Sequence, residues 1–361
     1  AISCSLSAYY HSLAYSHDPQ ALETLKNIPS AFYEEIKQEV PEFPDDGHIY
    51  MTYTATVPSV ELSKQMEYLF HEDPNLITDG RQIKRPLLAR PDIKLLLVAQ
   101  KAYSEGGLAL CVYLSYLQDI IENDRRRNPH DVELSSLAEI LSPVAKCFCT
   151  KYSLKSIEYA KQIFDGVGVA NGNITTELQK ACEIFYQDGF NYDLHSFDLL
   201  NHRINANNGL GYIKLQQLIQ ETLNEAKQEC NEEFVSYVNI IHEILQSHIK
   251  VTNSLITTFK SNTKQTPSAS SVSFLANSRE YMELTSCLVI GWMWLKQGII
   301  SYKKLSSPIK SKLPAWEQNY YVGKIATLDY YCQVELVKAK SSVEILENNP
   351  QIHNQFSPEW F

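Results

Sequence analysis

The stretch from Asp131 to Arg203 constrains the fold of this chain most, because it alternates helical patterns with glycine-containing turns. Apolar residues three or four positions apart predict its first helix, at Leu134, Leu137, Leu141, Val144 and Phe148. This pattern breaks at Asp165-Gly166-Val167-Gly168, since glycine adopts backbone angles that other residues avoid. A second helix is predicted to begin at Ile174, and the turn Asp188-Gly189-Phe190-Asn191 separates it from a third. The stretch is therefore predicted to form three helices joined by two turns.

Two blocks in this stretch resemble the acyl-CoA dehydrogenases, specifically the C-terminal helical domain of the long bacterial type with an extra helical C-terminus. Gln162-Ile163-Phe164 and Gly166-x-Gly168 resemble a first family block of the form QVFGGHGY. Phe197-Asp198-Leu199-Leu200 and Arg203 resemble the end of a second, of the form IYEGTNGIQALDLLGRK, and no gap is needed between the two. The resemblance implies an all-α fold: a four-helix bundle followed by an additional C-terminal helical layer.

The resemblance covers residues 1–16 and 91–203, whereas most of the segment between them has no family counterpart. We interpret residues 18–90 as an insertion. The resemblance implies a first domain over residues 1–205, which contains this insertion, and an additional helical C-terminal domain over residues 206–361.

Two long helices are predicted over residues 91–126 and 131–164. The short connection between them favours adjacent antiparallel helices. Gly106 and Gly107 lie in the middle of the first helix, where each glycine costs about 1 kcal/mol relative to alanine. Close approach of a neighbouring helix would offset that cost, so close packing is expected at this glycine pair.

The second half of the chain is predicted to be helical as well. The apolar pattern of residues 211–259 predicts one long helix or two stacked ones. A polar loop is predicted from Ser261 to Ser271. The apolar run from Cys287 to Leu295 is about half of the roughly twenty residues that span a bilayer, so we interpret residues 274–302 as a buried helix. A final helix is predicted over residues 315–347.

Charge and aromatic residues indicate which partners to expect. The net charge of -10 argues against nucleic acid, because phosphate binding needs a basic surface. Family members commonly assemble through the helical domain. The aromatic stretches Tyr320-Tyr321 and Trp292-Met293-Trp294 offer apolar area that could exceed what one chain covers. We therefore expect a homo-oligomer or a protein partner, and no membrane span.

The cysteine and histidine patterns predict no metal site. Most of the eight cysteines lie in apolar helical patterns, which favours buried thiols in a reducing, cytoplasmic compartment. Cys147 and Cys149 are two positions apart on a predicted helix, so they point to different sides and form a poor metal clamp or disulfide. His242 and His248 have no further ligand at a suitable spacing, and we interpret them as core or rim histidines.

The resemblance implies a reaction whose catalytic base is missing here. Acyl-CoA dehydrogenation needs a carboxylate that removes an α-proton while the flavin accepts a hydride. The family supplies a glutamate, and the ungapped alignment puts Gly189 at its position. A shift of one residue would put Asp188 there, and a shift of two would put Gln187 there. Phe190 also replaces the small threonine that follows the glutamate, so this site is expected to be degenerate.

The turn that the resemblance assigns to flavin binding is also altered. The family has two successive glycines where the backbone approaches the dinucleotide, and this chain has Asp165-Gly166, followed by Gly168. An acidic side chain beside a pyrophosphate is repulsive. The FAD turn is therefore expected to be degenerate as well.

Two functions follow from these observations. The first is a degenerate acyl-CoA-dehydrogenase-like helical module that is catalytically inactive, needs no cofactor and acts in binding or assembly. The alternative is the C-terminal part of an FAD-dependent acyl-CoA dehydrogenase, which desaturates an acyl-CoA between its α and β carbons and whose N-terminal and β domains lie outside this chain. Only the alternative requires FAD and acyl-CoA, so flavin retention separates the two.

Overall fold

The fold is described by a computed structural model for residues 8–9, 90–125, 132–164, 174–184, 192–262, 267–307, 313–348 and 356–360. Every regular element in these ranges is helical, which confirms the predicted all-α class. Ala8 and Tyr9 lie in a helix. The other residues of segment 1–16, which the family resemblance covers, lie outside the described ranges, as does the predicted insertion except for Arg90.

The α-helices in these ranges are, in chain order, α1 (Pro91–Arg125), α2 (Glu133–Ile163), α3 (Ile174–Ile184), α4 (Tyr192–Asn201), α5 (Leu210–Glu229), α6 (Glu232–Asn262), α7 (Pro267–Ser306), α8 (Ala315–Tyr330) and α9 (Leu336–Asn348). The segment Arg203–Gly209 forms a 3-10 helix between α4 and α5, and Pro358–Trp360 forms another. A π-helical turn, Tyr331–Glu335, joins α8 to α9. The long helices predicted from apolar spacing are thus present, and the π-helical turn interrupts the last one.

The helices belong to two compact units. The first unit comprises residues 1–104 and 152–184, and the second comprises residues 105–151 and 185–361. Each unit combines two separate stretches of the sequence, so the units do not correspond to domains that follow one another along the chain. The predicted division into residues 1–205 and 206–361 therefore stays a prediction.

In the first unit, the beginning of α1 packs against the end of α2. Ile93 and Leu97 share an apolar cluster with Ile163. Further along α1, the ring of Tyr103 lies 4.6 Å from the ring of Tyr152, which precedes Ile163 on α2. The contacts run in opposite directions along the two helices, so these segments are antiparallel, as predicted. A second cluster is formed by Ala8, Ile157, Ala160, Phe164, Leu178 and Cys182.

Helix α7 lies at the centre of the second unit, in contact with α4, α5, α6, α8 and α9. Trp292 and Trp294 are fully buried, and Met293 is 3% exposed. The expectation that this stretch offers apolar area for assembly is therefore wrong, because the surrounding helices of the same chain already cover it. No helix in the described part of the chain carries an apolar stretch long enough to cross a membrane.

The structure settles where the helices of this region begin and end. The pattern over residues 211–259, compatible with one helix or two, forms α5 and α6 with a break at Cys230 and Asn231. The predicted polar loop from Ser261 to Ser271 is wrong at both ends, because α6 extends to Asn262 and α7 begins at Pro267. Proline fits the first turn of a helix, where its missing N–H has no intrahelical acceptor. Pro267, which suggested a loop, is therefore the first residue of α7.

Close helix packing occurs at Gly106, as expected for the glycine pair on α1. A Cβ atom at this position would lie 2.8 Å from Ile290 Cγ2 and 2.8 Å from Trp294 Nε1. Both are side chains of α7. The absence of a side chain at Gly106 lets α1 and α7 approach closely, and this contact offsets the unfavourable helix propensity of glycine.

A fully buried polar network joins α5, α6 and α7. His248 Nδ1 lies 2.8 Å from the Tyr212 hydroxyl, and its Nε2 lies 2.8 Å from Thr285 Oγ1. Thr252 Oγ1 lies 2.8 Å from the Tyr281 hydroxyl and accepts a hydrogen bond from Tyr212. Both ring nitrogens of His248 contact neutral hydroxyl groups. Burial disfavours the charged imidazole and lowers the pKa of His248 from 6.5 to about 3. His248 is a core histidine, as predicted.

This network predicts a specific acid sensitivity. Because the pKa of His248 is lower in the folded protein than in the unfolded chain, the unfolded chain binds a proton first as the pH falls below 6.5. Between pH 7.5 and 5, wild type should lose roughly 2 kcal/mol more unfolding free energy than a His248→Gln variant. Urea unfolding of both proteins at the two pH values measures this difference. Equal pH dependence of the two proteins would show that His248 does not titrate this way.

Candidate functional site

A cavity of about 290 Å³ lies in the second unit, where the first half of α2 meets α4. Helix α1 contributes to its wall, and so does the start of the 3-10 helix that follows α4. The lining residues are Gln118, Ile121, Ser135, Ala138, Glu139, Ser142, Pro143, Lys146, His195, Asp198 and Arg203.

The sequence of α2 explains why one of its faces is polar. Ser135, Glu139, Ser142 and Lys146 are three or four residues apart, so they lie along one face of the helix. Apolar positions on α2 are buried instead: Leu137, Leu141, Val144 and Phe148. Pro143 also lines the cavity and has no N–H to donate to the carbonyl four residues earlier. The same periodicity that buries one face of α2 therefore presents the other to the cavity.

Two carboxylates hold Arg203 at the cavity wall. Arg203 Nε donates to Asp198 Oδ2 over 2.8 Å, and Arg203 Nη1 lies 3.5 Å from Glu139 Oε2. The hydrogen bond to Asp198 raises the pKa of Arg203 above its ordinary value. His202 Nδ1 lies 3.3 Å from the other oxygen of Asp198. The guanidinium is thus positioned by groups on α2 and α4, although its side chain remains 38% exposed.

His195 gives the cavity a histidine that is neutral at physiological pH. Burial lowers the pKa of His195, and the positive charge of Lys146 lowers it further. The carboxylate of Asp198 opposes this shift. A neutral imidazole can accept one hydrogen bond and donate another.

The lining residues offer several polar side chains to a bound group. Lys146, His195 and Arg203 supply hydrogen-bond donors, and Glu139 and Asp198 balance part of the positive charge of Lys146 and Arg203. The volume is at the lower end of the range for small-molecule pockets. The cavity can accommodate a small polar or anionic group.

The residues that the sequence predicted for the catalytic and flavin sites lie outside the described ranges. These are Asp165, Gly166 and Gly168 in the first turn, and Gln187, Asp188, Gly189 and Phe190 in the second. Two residues of the second family block, Asp198 and Arg203, do line the cavity. Sequence reasoning assigned them only to a family pattern and missed the cavity. The signal that could have found it is the polar stripe on α2 together with the acidic and basic residues of α4 and the segment after it.

Cys147 and Cys149 lie in different surroundings on α2. Cys147 and Cys149 are buried, as predicted, and have different neighbours. Cys147 Sγ lies 3.9 Å from the Tyr192 carbonyl oxygen, whereas Cys149 Sγ lies 3.8 Å from Cys111 Sγ. Cys111, Cys147, Cys149, Cys230 and Cys332 carry free thiols. In the same ranges, no group of three or more histidine, cysteine or acidic side chains could hold a metal ion.

Parts of this helical chain are similar to known proteins. Residues 215–352 match the family described as acetyl-CoA dehydrogenase C-terminal like. Over 258 residues the chain is 21% identical to 3-methylmercaptopropionyl-CoA dehydrogenase of Ruegeria pomeroyi, an alignment that covers 71% of this chain and 40% of that protein. The chain therefore carries an acyl-CoA dehydrogenase C-terminal-like domain, which confirms the resemblance inferred from the sequence.

The family match and the cavity lie in different parts of the chain. The family match begins within α5 and includes α6, α7, α8 and α9, so it corresponds to the additional C-terminal helices. The cavity residues, which end at Arg203, precede it. The aligned part of the chain spans 40% of the length of the Ruegeria protein.

Proposed function

We propose that this chain is a degenerate acyl-CoA-dehydrogenase-like module that does not oxidise acyl-CoA and acts in binding or assembly. The observation that supports this proposal is Gly189, which the ungapped alignment puts at the position of the family's catalytic glutamate. Glycine has no side chain to accept the α-proton of the substrate. A general base contributes about 10²–10⁴-fold to rate, so its loss leaves little activity.

Two neighbouring replacements support the same proposal. Asp165 places a negative charge where the family turn approaches the flavin pyrophosphate, and Phe190 places a bulky ring where the family has threonine. The side chains at these two positions do not suit FAD binding, so the proposed module needs no cofactor. Asp188 is one residue from the base position, but its side chain is about one methylene shorter than glutamate, and an error of about 1 Å is costly in such geometry.

The binding or assembly role is supported by the cavity and by exposed aromatic side chains. The cavity presents Lys146 and Arg203 to a small polar or anionic group. On α8, Trp316 is 70% exposed and Tyr320 is 51% exposed. Exposed aromatic residues are enriched at protein interfaces. These residues, rather than the buried Trp292–Trp294 stretch, support a homo-oligomer or another protein as the partner, in a cytoplasmic setting.

One observation favours the alternative function. The chain aligns with 40% of the length of a protein named as an acyl-CoA dehydrogenase. As the C-terminal part of such an enzyme, it would act with N-terminal and β domains that lie outside this chain. FAD would then supply hydride acceptance, and an acyl-CoA would be the substrate.

The proposal predicts that the purified chain has no acyl-CoA dehydrogenase activity. The chain would be mixed with FAD, a panel of acyl-CoAs that includes 3-methylmercaptopropionyl-CoA, and an artificial electron acceptor. We expect neither turnover nor retention of the visible flavin absorbance after gel filtration. Asp188→Asn should change nothing, since Asp188 is not a base in this proposal.

Several results would contradict this prediction. Turnover that disappears in Asp188→Asn would identify Asp188 as the base. Turnover gained by Gly189→Glu would show that the flavin site is intact and only the base is missing. Retained flavin in the unmodified chain would favour the alternative function. Light scattering tests assembly separately, and a monomer mass at tens of micromolar would leave binding as the proposed role.

A further inference from the structure

Two cysteines on neighbouring helices of the second unit face each other. Cys111 on α1 and Cys149 on α2 bring their sulfur atoms within 3.8 Å. A disulfide needs a sulfur–sulfur distance of about 2.05 Å. The two sulfurs therefore need to approach by less than about 2 Å, which side-chain rotation and a small helix adjustment can provide.

The two thiols differ in exposure and in pKa, so they suit different steps of a two-step oxidation. Cys111 is partly exposed, whereas Cys149 is 8% exposed. The hydrogen bond with Cys149 lowers the pKa of Cys111 to about 7, and the same contact raises that of Cys149. The negative charge of a thiolate is therefore favoured on Cys111, the more accessible of the two cysteines. Cys111 thus suits the attacking thiolate, and Cys149 the thiol that resolves the product.

We propose that Cys111 and Cys149 form a peroxide-reactive dithiol that closes to an intrachain disulfide. In the first step, the Cys111 thiolate attacks one oxygen of hydrogen peroxide, the O–O bond breaks, and hydroxide leaves with a sulfenic acid formed on Cys111. In the second step, Cys149 Sγ attacks the sulfenic sulfur, and the S–O bond breaks. The proton of Cys149 leaves with the hydroxyl group as water. Overall, two thiols lose two electrons and two protons, and one peroxide is reduced to two waters.

The disulfide would have a defined structural effect. It would link α1 to α2 across 38 residues of sequence, and such a crosslink reduces the conformational freedom of the unfolded chain. In a chain of this length, the thermal midpoint should rise by about 4 °C. Oxidation is thus expected to stabilise the protein rather than damage it.

Mass spectrometry of the peroxide-treated full chain tests the proposal. After a mild excess of hydrogen peroxide, the intact mass should fall by two hydrogens. Non-reducing digestion should yield one crosslinked peptide pair that contains Cys111 and Cys149, and dithiothreitol should separate it. The rise in thermal midpoint should appear with the crosslink and disappear on reduction.

Three single variants provide matched controls. Cys111→Ser and Cys149→Ser should each abolish the crosslink and the thermal shift. Cys147→Ser should retain both, because Cys147 is buried on the same helix against the Tyr192 carbonyl instead. The proposal is overturned if wild type keeps both thiols, if Cys111 is oxidised to a sulfinic acid without crosslinking, or if the disulfide found joins other cysteines.

Discussion

Gly211→Ala is expected to destabilise the protein by roughly 3 kcal/mol, although it adds only one methyl group. A Cβ atom at Gly211 would collide with the carbonyl oxygen of Ser136 and would lie 2.5 Å from its carbonyl carbon. Both atoms belong to the backbone of α2, so no side-chain rotation relieves the clash. Helix α5 would have to move away from α2. Urea unfolding at neutral pH would measure the loss of unfolding free energy.

Gly323→Ala is the matched control for this substitution. Gly323 also lies within a helix, α8, but a Cβ atom there would meet nothing within 4 Å. Alanine is favoured over glycine in a helix by about 1 kcal/mol, so Gly323→Ala should be neutral or slightly stabilising. If both variants unfold at the same urea concentration, α5 and α2 are not in backbone contact at Gly211.

Glu105→Leu is expected to cost roughly 3–5 kcal/mol of unfolding free energy, because it leaves the charge of Lys324 buried without its ion-pair partner. Lys324 Nζ lies 2.7 Å from Glu105 Oε2, and both side chains are about one-tenth exposed. Gln297 accepts a second hydrogen bond from Lys324 over 2.7 Å. A neutral amide cannot compensate for a buried cation as a carboxylate does. Chemical denaturation of the variant and wild type would measure the difference.

Two further variants separate the buried charge from lost packing. The double variant Glu105→Leu/Lys324→Met removes both charges and should recover most of the lost stability. Glu243→Ala breaks the exposed ion pair with Lys340, whose atoms are 2.8 Å apart, and should cost less than about 1 kcal/mol. If the double variant is as unstable as Glu105→Leu, lost packing rather than the unpaired charge explains the effect.

The helices of this fold could be predicted from the sequence because their apolar spacing is local. Residues 91–126 and 131–164 were predicted as helices, and α1 and α2 differ from these bounds by at most two residues. Glycine at position 106 also predicted a close helix contact. Burial of one helix face is encoded in the periodicity of that helix alone, which is why these features needed no knowledge of the partner helix.

Other features could not be predicted because they depend on residues far apart in sequence. The cavity forms only where the polar face of α2 meets α4 and Arg203, and periodicity does not reveal which polar faces converge. The same is true of Cys111 and Cys149, since each by itself fits a small buried apolar residue. The loop predicted over residues 261–271 failed because proline either ends a helix or begins one, and the local sequence favoured neither.

The ion pair between Glu105 and Lys324 can form only after the ribosome has synthesised both residues. These residues are 219 positions apart. At about 5–20 residues per second, the ribosome adds the lysine about 10–40 s after the glutamate. Until then, this part of α1 emerges without the cation that neutralises its carboxylate and without the α7 side chains that cover Gly106. The nascent second unit is therefore exposed to chaperones and proteases until α7 and α8 have been synthesised.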